Sequence, residues 1–177
     1  MSTLIIIFAL KFNVYFNIME PMKYEFDFGT QYNTFYLSSD EGMRSVAEKL
    51  DNSDQSLRER LVEAKNLLAI STHSYGRIRG TIHFLDSVDD NINLDLYDHI
   101  VEVGLKVESG ELQVLSCPTS SIEFKKSIDP GTYRVRIYSS GLKSYDTDEE
   151  EGDDRYKIEI WPDTNKARKV LKQYDGY

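Results

Sequence analysis

Short segments in which apolar and polar side chains alternate recur along most of this chain, and they constrain its fold more than any other feature. In residues 23–28 the apolar positions are Tyr24, Phe26 and Phe28, and residues 156–161 repeat the pattern. Because successive side chains of a strand point to opposite sides, this period is typical of a strand with one buried face. Roughly seven or eight such segments at about 8–12-residue spacing predict a mainly β protein, either an antiparallel β-sandwich or a partly open barrel.

Residues 99–108 form the strongest of these segments, because nearly every second position is a branched aliphatic residue. A Ser-Gly turn follows, and residues 111–116 are predicted to pair back on this strand as a hairpin. Within residues 77–85, Gly80 predicts a bulge. Residues 132–138 and 156–161 are predicted to form a second, longer hairpin.

A short helical insertion is predicted near the N-terminal end of the β-rich sequence. A hydroxyl side chain followed by two acids is typical of a helix start, and it predicts a helix over residues 39–51. A second helix is predicted over residues 56–66, because Leu57, Leu61 and Ala64 recur at helical spacing.

Residues 1–22 differ from the rest, and we divide the chain into this apolar extension and a single β-rich domain over residues 23–177. Lys11 interrupts the apolar run, which is too short for a spanning helix of about 20 residues. It also lacks the basic start and the cleavage site of a secretory signal. An extra strand and a weak membrane-associating segment remain alternatives. We favour an extension upstream of the true start, because Met19 and Met22 directly precede the domain-like sequence.

The net charge of −9 is concentrated in residues 146–154, which carry seven acids and no base and leave only −2 for the rest of the chain. Such a segment repels nucleic-acid phosphates and attracts a basic protein surface. A protein with a basic surface is therefore the expected partner, and neither nucleic acid nor stable membrane insertion is expected. The predicted partner-binding residues are Asp148, Glu149, Glu150, Asp153 and Asp154.

No catalytic, metal or cofactor site is expected from the sequence. The three histidines, His73, His83 and His99, lie in no nucleophile motif and have no metal-ligand spacing. The acidic run fails the register of a calcium loop, and no phosphate-binding glycine motif is present. A shared pocket for His83 and Glu102 would be needed to revive an enzymatic interpretation.

Two further side-chain predictions concern packing. The single cysteine, Cys117, cannot form an internal disulfide; it fits a reducing, cytoplasmic compartment and is expected to be buried. Arg134 and Arg136 share one face of a strand. We expect that face to be exposed to solvent and its arginines to pair with an acid such as Glu159 on the next strand.

Four stretches of the C-terminal half, residues 97–102, 105–110, 130–136 and 154–162, resemble small, widespread bacterial proteins. The layout resembles nuclease inhibitors of the competence protein J type: an early Phe/Tyr-rich strand, a helical insert, a β-rich core and a Pro-Gly turn into a strand. Size and acidity also resemble the immunity proteins of bacterial toxin systems. The resemblance implies a protein that neutralises a partner nuclease by binding it, and it transfers no interface residue.

Two functions therefore follow from the sequence. The first is an inhibitor or immunity protein that captures a cognate toxin through its acidic surface, and the expected toxin is a nuclease. The alternative is a non-catalytic domain that recognises a peptide or carbohydrate through aromatic sheet residues such as Tyr138 or Tyr145. An enzyme is the least favoured interpretation.

Overall fold

A computed structural model describes residues 22–39, 53–146, 148 and 152–176. Within them the chain forms two β-sheets that face each other across an apolar core. The predicted mainly β sandwich is confirmed. The helix expected over residues 39–51 lies almost wholly outside the described residues, as does the apolar extension.

The described strands follow the chain as β1 (Met22–Thr30), β2 (Thr34–Ser38), β3 (Leu61–Ala64), β4 (Leu67–Ser71), β5 (Gly76–Phe84), β6 (His99–Val107), β7 (Glu111–Ser116), β8 (Ile122–Ser127), β9 (Gly131–Ser140), β10 (Arg155–Pro162) and β11 (Lys169–Lys172). A five-residue helix, α1 (Asp54–Arg58), precedes β3. One sheet has the order β1-β5-β10-β9-β6-β11 and the other β3-β4-β2-β7-β8. Strands β5 and β10 are parallel, and the other neighbours are antiparallel.

Both sheets contribute their alternating apolar faces to one core. Phe26 and Ile158 come from the six-stranded sheet, and Phe35, Leu37 and Val114 come from the five-stranded sheet. Burying one such side chain stabilises the fold by about 1.5–3 kcal/mol, so the shared core supplies the main driving force for closing the sandwich.

The predicted hairpin between residues 99–108 and 111–116 is wrong. Strand β6 pairs with β9 and β11, whereas β7 pairs with β2 and β8 in the opposite sheet. The Ser109-Gly110 turn therefore carries the chain from one sheet to the other, and Gly110 has the left-handed φ of 74° that this turn requires. A turn signal shows that the chain reverses but leaves open which sheet the next strand joins.

The predicted second helix is also too long. It ends at Arg58, and Leu61 is a buried residue of β3 that pairs with Ile70 of β4. Leu57, expected on the buried face, is exposed. Pairing with β4 satisfies the backbone of this segment and buries Leu61, which outweighs the helical spacing of the sequence.

The outer face of the six-stranded sheet carries a buried ion cluster, formed by Glu102, Arg134, Arg136 and Glu159. Arg136 Nε lies 2.6 Å from Glu102 Oε1, and its Nη1 lies 3.2 Å from Glu159 Oε2. Arg134 Nη2 lies 3.1 Å from Glu102 Oε2. The expected pairing with an acid of the next strand is confirmed for Glu159, but the expected solvent exposure is wrong, since both arginines are buried.

Two covering segments explain why these arginines are buried. Arg134 Nη1 donates to the carbonyl oxygens of Asn165 and Ala167, which lie between β10 and β11. Arg136 Nη1 donates to the carbonyl oxygen of Asp89, in the connection from β5 to β6, at 2.7 Å. The ion cluster thus fastens two segments that have no regular secondary structure of their own here.

Gly80 sits where neighbouring strands approach closely, and the predicted bulge is wrong, because its pairing with β1 is unbroken. A Cβ at this position would collide with the Phe26 ring and the carbonyl oxygen of Tyr156. We expect Gly80→Ala to lower the free energy of unfolding by about 1–3 kcal/mol through overpacking. Urea denaturation followed by tryptophan fluorescence measures this change.

Gly29→Ala is the matched control for that substitution. A Cβ at Gly29 meets nothing within 4 Å, so its effect should stay within about 0.5 kcal/mol. Equal losses in the two variants would show that the close approach at Gly80 is not what limits side-chain size there.

His99 at the start of β6 is held as a neutral ring. Its Nε2 lies 3.0 Å from the carbonyl oxygen of Glu59, to which it donates, and its Nδ1 accepts from the backbone N–H of Tyr174 at 3.3 Å. Both ring nitrogens are therefore used, and burial is the main cause that lowers the pKa of His99 to about 4. A protonated ring would place a second donor against the Tyr174 N–H.

The free energy of unfolding should consequently fall as the pH drops through the interval between the unfolded and folded pKa values of His99. The unfolded ring takes up its proton near pH 6.5 and the folded ring only near 4, so stability is complete above 6.5 and is lost as pH falls. Between pH 7 and 5 the loss from His99 is about 2 kcal/mol. Urea midpoints across this range should drop less steeply for His99→Gln; an unchanged slope would exclude His99 as the cause.

Candidate partner-binding site at the acidic end of the sandwich

The acidic run forms the tip of the β9–β10 hairpin, as the sequence predicts. Strands β9 and β10 are antiparallel neighbours whose last paired residues are Ser140 and Arg155. The described residues of the run therefore lie at one end of the sandwich, beside the connection between β4 and β5.

The base of this hairpin loop is closed by specific contacts. Gly141 has a φ of 73°, and a Cβ there would lie 2.6 Å from the carbonyl oxygen of Asp153. The N–H of Leu142 donates to Asp98 Oδ2 at 2.9 Å, and the N–H of Asp153 donates to Ser144 Oγ at 2.7 Å. The second of these bonds joins the two arms of the loop, and the first ties its first arm to the residue that precedes β6.

Asp154 was predicted to contact a partner, but the structure buries it at 3% exposure. Its Oδ2 accepts from the backbone N–H groups of His73 and Ser74 at 3.0 and 3.3 Å and from the Tyr156 hydroxyl at 2.5 Å. The Ser74 hydroxyl donates to Oδ1. Four donors satisfy the carboxylate, so Asp154 anchors the loop to the β4–β5 connection instead of presenting charge to solvent.

The other predicted residues differ in where they lie. Asp148 and Asp153 are exposed, as is Asp146, whose Oδ1 accepts from the N–H of Asp148 at 2.8 Å. Glu149 and Glu150 lie outside the described residues. The loop therefore combines exposed carboxylates with a buried carboxylate in the same segment.

An aromatic cluster contacts the loop at Tyr145. The His73 ring lies 4.8 Å from the Tyr145 ring and 5.8 Å from the Tyr174 ring, both edge-on. Burial is the main cause that lowers the pKa of His73, so a neutral, apolar ring is favoured at this contact. The cluster joins the acidic loop to the C-terminal segment as well as to β4.

Two exposed tyrosines adjoin the acidic loop, and sequence reasoning missed them. Tyr32 is 67% exposed and Tyr75 is 37% exposed. Asn33 Nδ2 donates to the His73 carbonyl oxygen at 2.9 Å, so the two turns are tied together. Tyrosine is enriched at the energetic centres of protein interfaces. A tyrosine flanked by polar turn residues was the available signal in the sequence.

These contacts define one continuous surface, which we call the acidic end. It comprises the described parts of residues 31–33, 72–75 and 141–154. Its backbone is constrained at the first of these turns, because Tyr32 and Asn33 adopt φ values of 55° and 48°. Such values in non-glycine residues persist only where surrounding contacts enforce them.

The residues of the alternative hypotheses are not brought together. Tyr138 is buried and donates to Glu159, so it offers no ring for a ligand, and Tyr145 is half-buried against His73. His83 lines an open cleft and contacts Thr81, whereas Glu102 belongs to the buried ion cluster. Among the described residues no three metal-ligating side chains converge.

No helix within the described ranges is long and apolar enough to cross a membrane.

The two facing sheets and the contacts of the acidic end define the chain as a two-sheet β-sandwich with a constrained, negatively charged end.

One solved structure shares this fold at a TM-score above 0.5. The crystal structure of ComJ from Bacillus subtilis, an inhibitor of the DNA-degrading activity of NucA, aligns at a TM-score of 0.62 and 13% identity, covering 81% of this chain and 99% of ComJ. The protein of crocagin biosynthetic gene J aligns at 0.49 and 17% identity, covering 82% and 99%. The expected resemblance to the competence protein J type is confirmed for the fold. No protein-family model and no curated protein sequence matches the chain.

Asp153 is exposed and Asp154 is buried, so substituting each in turn tests whether Asp154 anchors the loop. Asp154→Asn places an amide among four donors, and we expect it to lower the free energy of unfolding by about 2–4 kcal/mol. Asp153→Asn should change it by less than about 0.5 kcal/mol, since Asp153 is exposed. Both are measured by urea denaturation; similar values for the two variants would contradict the anchoring role.

Proposed function

We propose that this protein is an inhibitor of the immunity type, which binds a cognate bacterial toxin with nuclease activity and blocks its substrate groove with the acidic end. The observation that carries the proposal is the acidic hairpin loop, in which Asp148 and Asp153 are exposed and Asp154 is the buried anchor. The rest of the chain is nearly neutral, so the charge is concentrated at one place.

The chemistry of the partner explains why carboxylates suit this task. A nuclease groove is basic because it holds phosphates, and exposed carboxylates can pair with the same cations. Occupying that groove excludes the nucleic acid sterically and electrostatically. The concentrated charge also accelerates the encounter of the two proteins.

A constrained loop favours tight binding. Association costs free energy for every side chain and loop segment that must become ordered. The Asp154 anchor, the closed loop base and the His73 contacts meet part of that cost during folding. The fold shared with ComJ, an inhibitor of a DNA-degrading enzyme, supports the same interpretation.

This mode of action is stoichiometric and requires neither a catalytic residue nor a cofactor. We propose that it operates in the cytoplasm, where a buried single thiol such as Cys117 stays reduced. The partner is then a protein with a basic surface, and nucleic acid is a competitor for it.

The test replaces the accessible charges and retains the anchor. In one variant Asp148, Glu149, Glu150 and Asp153 become the corresponding amides. Its control changes four exposed acids elsewhere in the same way: Asp86, Asp90, Glu123 and Asp129. Both variants raise the net charge equally, so any difference between them depends on where the charge lies.

The partner for this test is the nuclease that co-purifies with the protein from its own cells at low salt. Wild-type protein should stop DNA degradation at about equimolar ratio, and the loop variant should bind about a hundredfold more weakly at low salt. That difference should shrink as salt rises. If the loop variant inhibits as well as the control variant, the acidic loop is not the inhibitory surface.

A further inference from the structure

Arg60 occupies a backbone position that arginine rarely adopts. It follows the C-cap residue Glu59 of α1, and its φ is 54°. Helices commonly end with glycine or asparagine in this left-handed conformation, because a larger Cβ substituent is strained there. An arginine at this position therefore costs stability, which indicates that its side chain is retained for another reason.

The guanidinium of Arg60 is only partly satisfied. Its Nη2 donates to the carbonyl oxygen of Ser71 at 3.3 Å. Its Nε is buried and has no hydrogen-bond partner, and Arg60 forms no ion pair with any described carboxylate. Because α1 has only five residues, interaction with its helix dipole is a weak explanation for the cation.

Asp154, the carboxylate whose charge also acts on His73, does not pair with Arg60. The positive charge of Arg60 helps to lower the pKa of His73, while the negative charge of Asp154 opposes that effect. Asp154 is occupied by its four donors and makes no ion pair with Arg60. The Arg60 charge also helps to lower the pKa of His99, whereas the neighbouring Glu59 opposes that effect.

Arg60 lines a pocket of about 640 Å³. The floor includes Tyr36, Val62 and Ala69, which pair across β2, β4 and β3 and form an apolar cluster apart from the main core. Tyr32 and Leu57 also line the pocket, and they are 67% and 57% exposed. Apolar floor, exposed apolar side chains and one cation are combined here, as in sites for small organic anions.

We propose that this pocket binds a carboxylate attached to an apolar group, with Arg60 pairing with the carboxylate and Tyr32 and Leu57 contacting the apolar part. Among the described residues that line the pocket, Arg60 is the one cation. A single guanidinium edge matches the two oxygens and single charge of a carboxylate, whereas a phosphate dianion would call for further cations. The carboxylate belongs either to a small organic acid or to the C-terminus of a protein.

Four probes test whether binding requires the carboxylate charge, and whether the ligand is a small organic acid or a protein C-terminus. Phenylacetate is compared with neutral phenylacetamide, and a tetrapeptide ending in Phe with a free carboxylate is compared with its C-terminal amide. Titration of the full chain by NMR chemical shifts or calorimetry should show saturable binding of an acid, with its amide about tenfold weaker or undetectable. Binding of phenylacetate identifies small acids as ligands, and binding of the peptide acid alone identifies a protein C-terminus.

Arg60→Gly tests the assignment without requiring a destabilised protein. Glycine relieves the φ strain, so the melting temperature should stay the same or rise, while binding of the acid probe should weaken about tenfold. Arg60→Asn, which tolerates the same backbone, should behave alike. Arg155→Gln removes an exposed arginine from the other sheet and should leave binding unchanged.

The proposal is overturned if no acid probe shows saturable binding, if acid and amide bind equally, or if Arg60→Gly binds the acid as tightly as wild type. It does not depend on the inhibitor function, because its measurements contain no nuclease. Loss of inhibition in the acidic-loop variant with intact probe binding would separate the two sites.

Discussion

The buried ion cluster of Glu102, Arg134, Arg136 and Glu159 is the interaction on which the outer architecture depends. It brings two negative and two positive charges together beneath the segments that cover the six-stranded sheet. The Nη1 atoms of both arginines also donate to backbone carbonyl oxygens of those segments, so the charges hold irregular chain in place. Removing one member of such a cluster leaves an uncompensated buried charge, which typically costs about 3–5 kcal/mol. Segments without regular structure thereby acquire a fixed position.

A buried charge surrounded by hydrogen-bond partners also holds irregular chain in place at the acidic end. Asp154 is a buried carboxylate surrounded by donors, whereas Asp153, its neighbour in sequence, is exposed. One acid thus fixes the loop and the next presents charge. Charge density by itself gives long-range attraction, but a constrained backbone is needed to place individual carboxylates against individual cations of a partner. The anchor therefore links the stability of the sandwich to the geometry of its proposed interface.

Opposite charges adjoin each other at this end of the molecule. The exposed carboxylates of the acidic loop attract cations, while Arg60 supplies the one cation among the described residues of the pocket proposed to bind a carboxylate. The turn at Tyr32 and Asn33 connects the two through the His73 carbonyl oxygen. A surface that combines charges of both signs with aromatic side chains discriminates between partners better than a uniformly acidic one, because wrong partners meet repulsion or unpaired groups.

The sequence by itself determined most of the strands, the mainly β class, the hairpin that carries the acidic run, and the pairing of Arg136 with Glu159. Each of these depends on the order of residues within one or two adjacent segments. Only the tertiary structure decided that β6 and β7 belong to different sheets, that Leu61 lies in a strand, and that Asp154 is buried. The reason is distance along the chain. Alternation shows that a face of a strand is covered, but it does not show which strand covers it. Three of the four donors to Asp154 come from residues about 80 positions away.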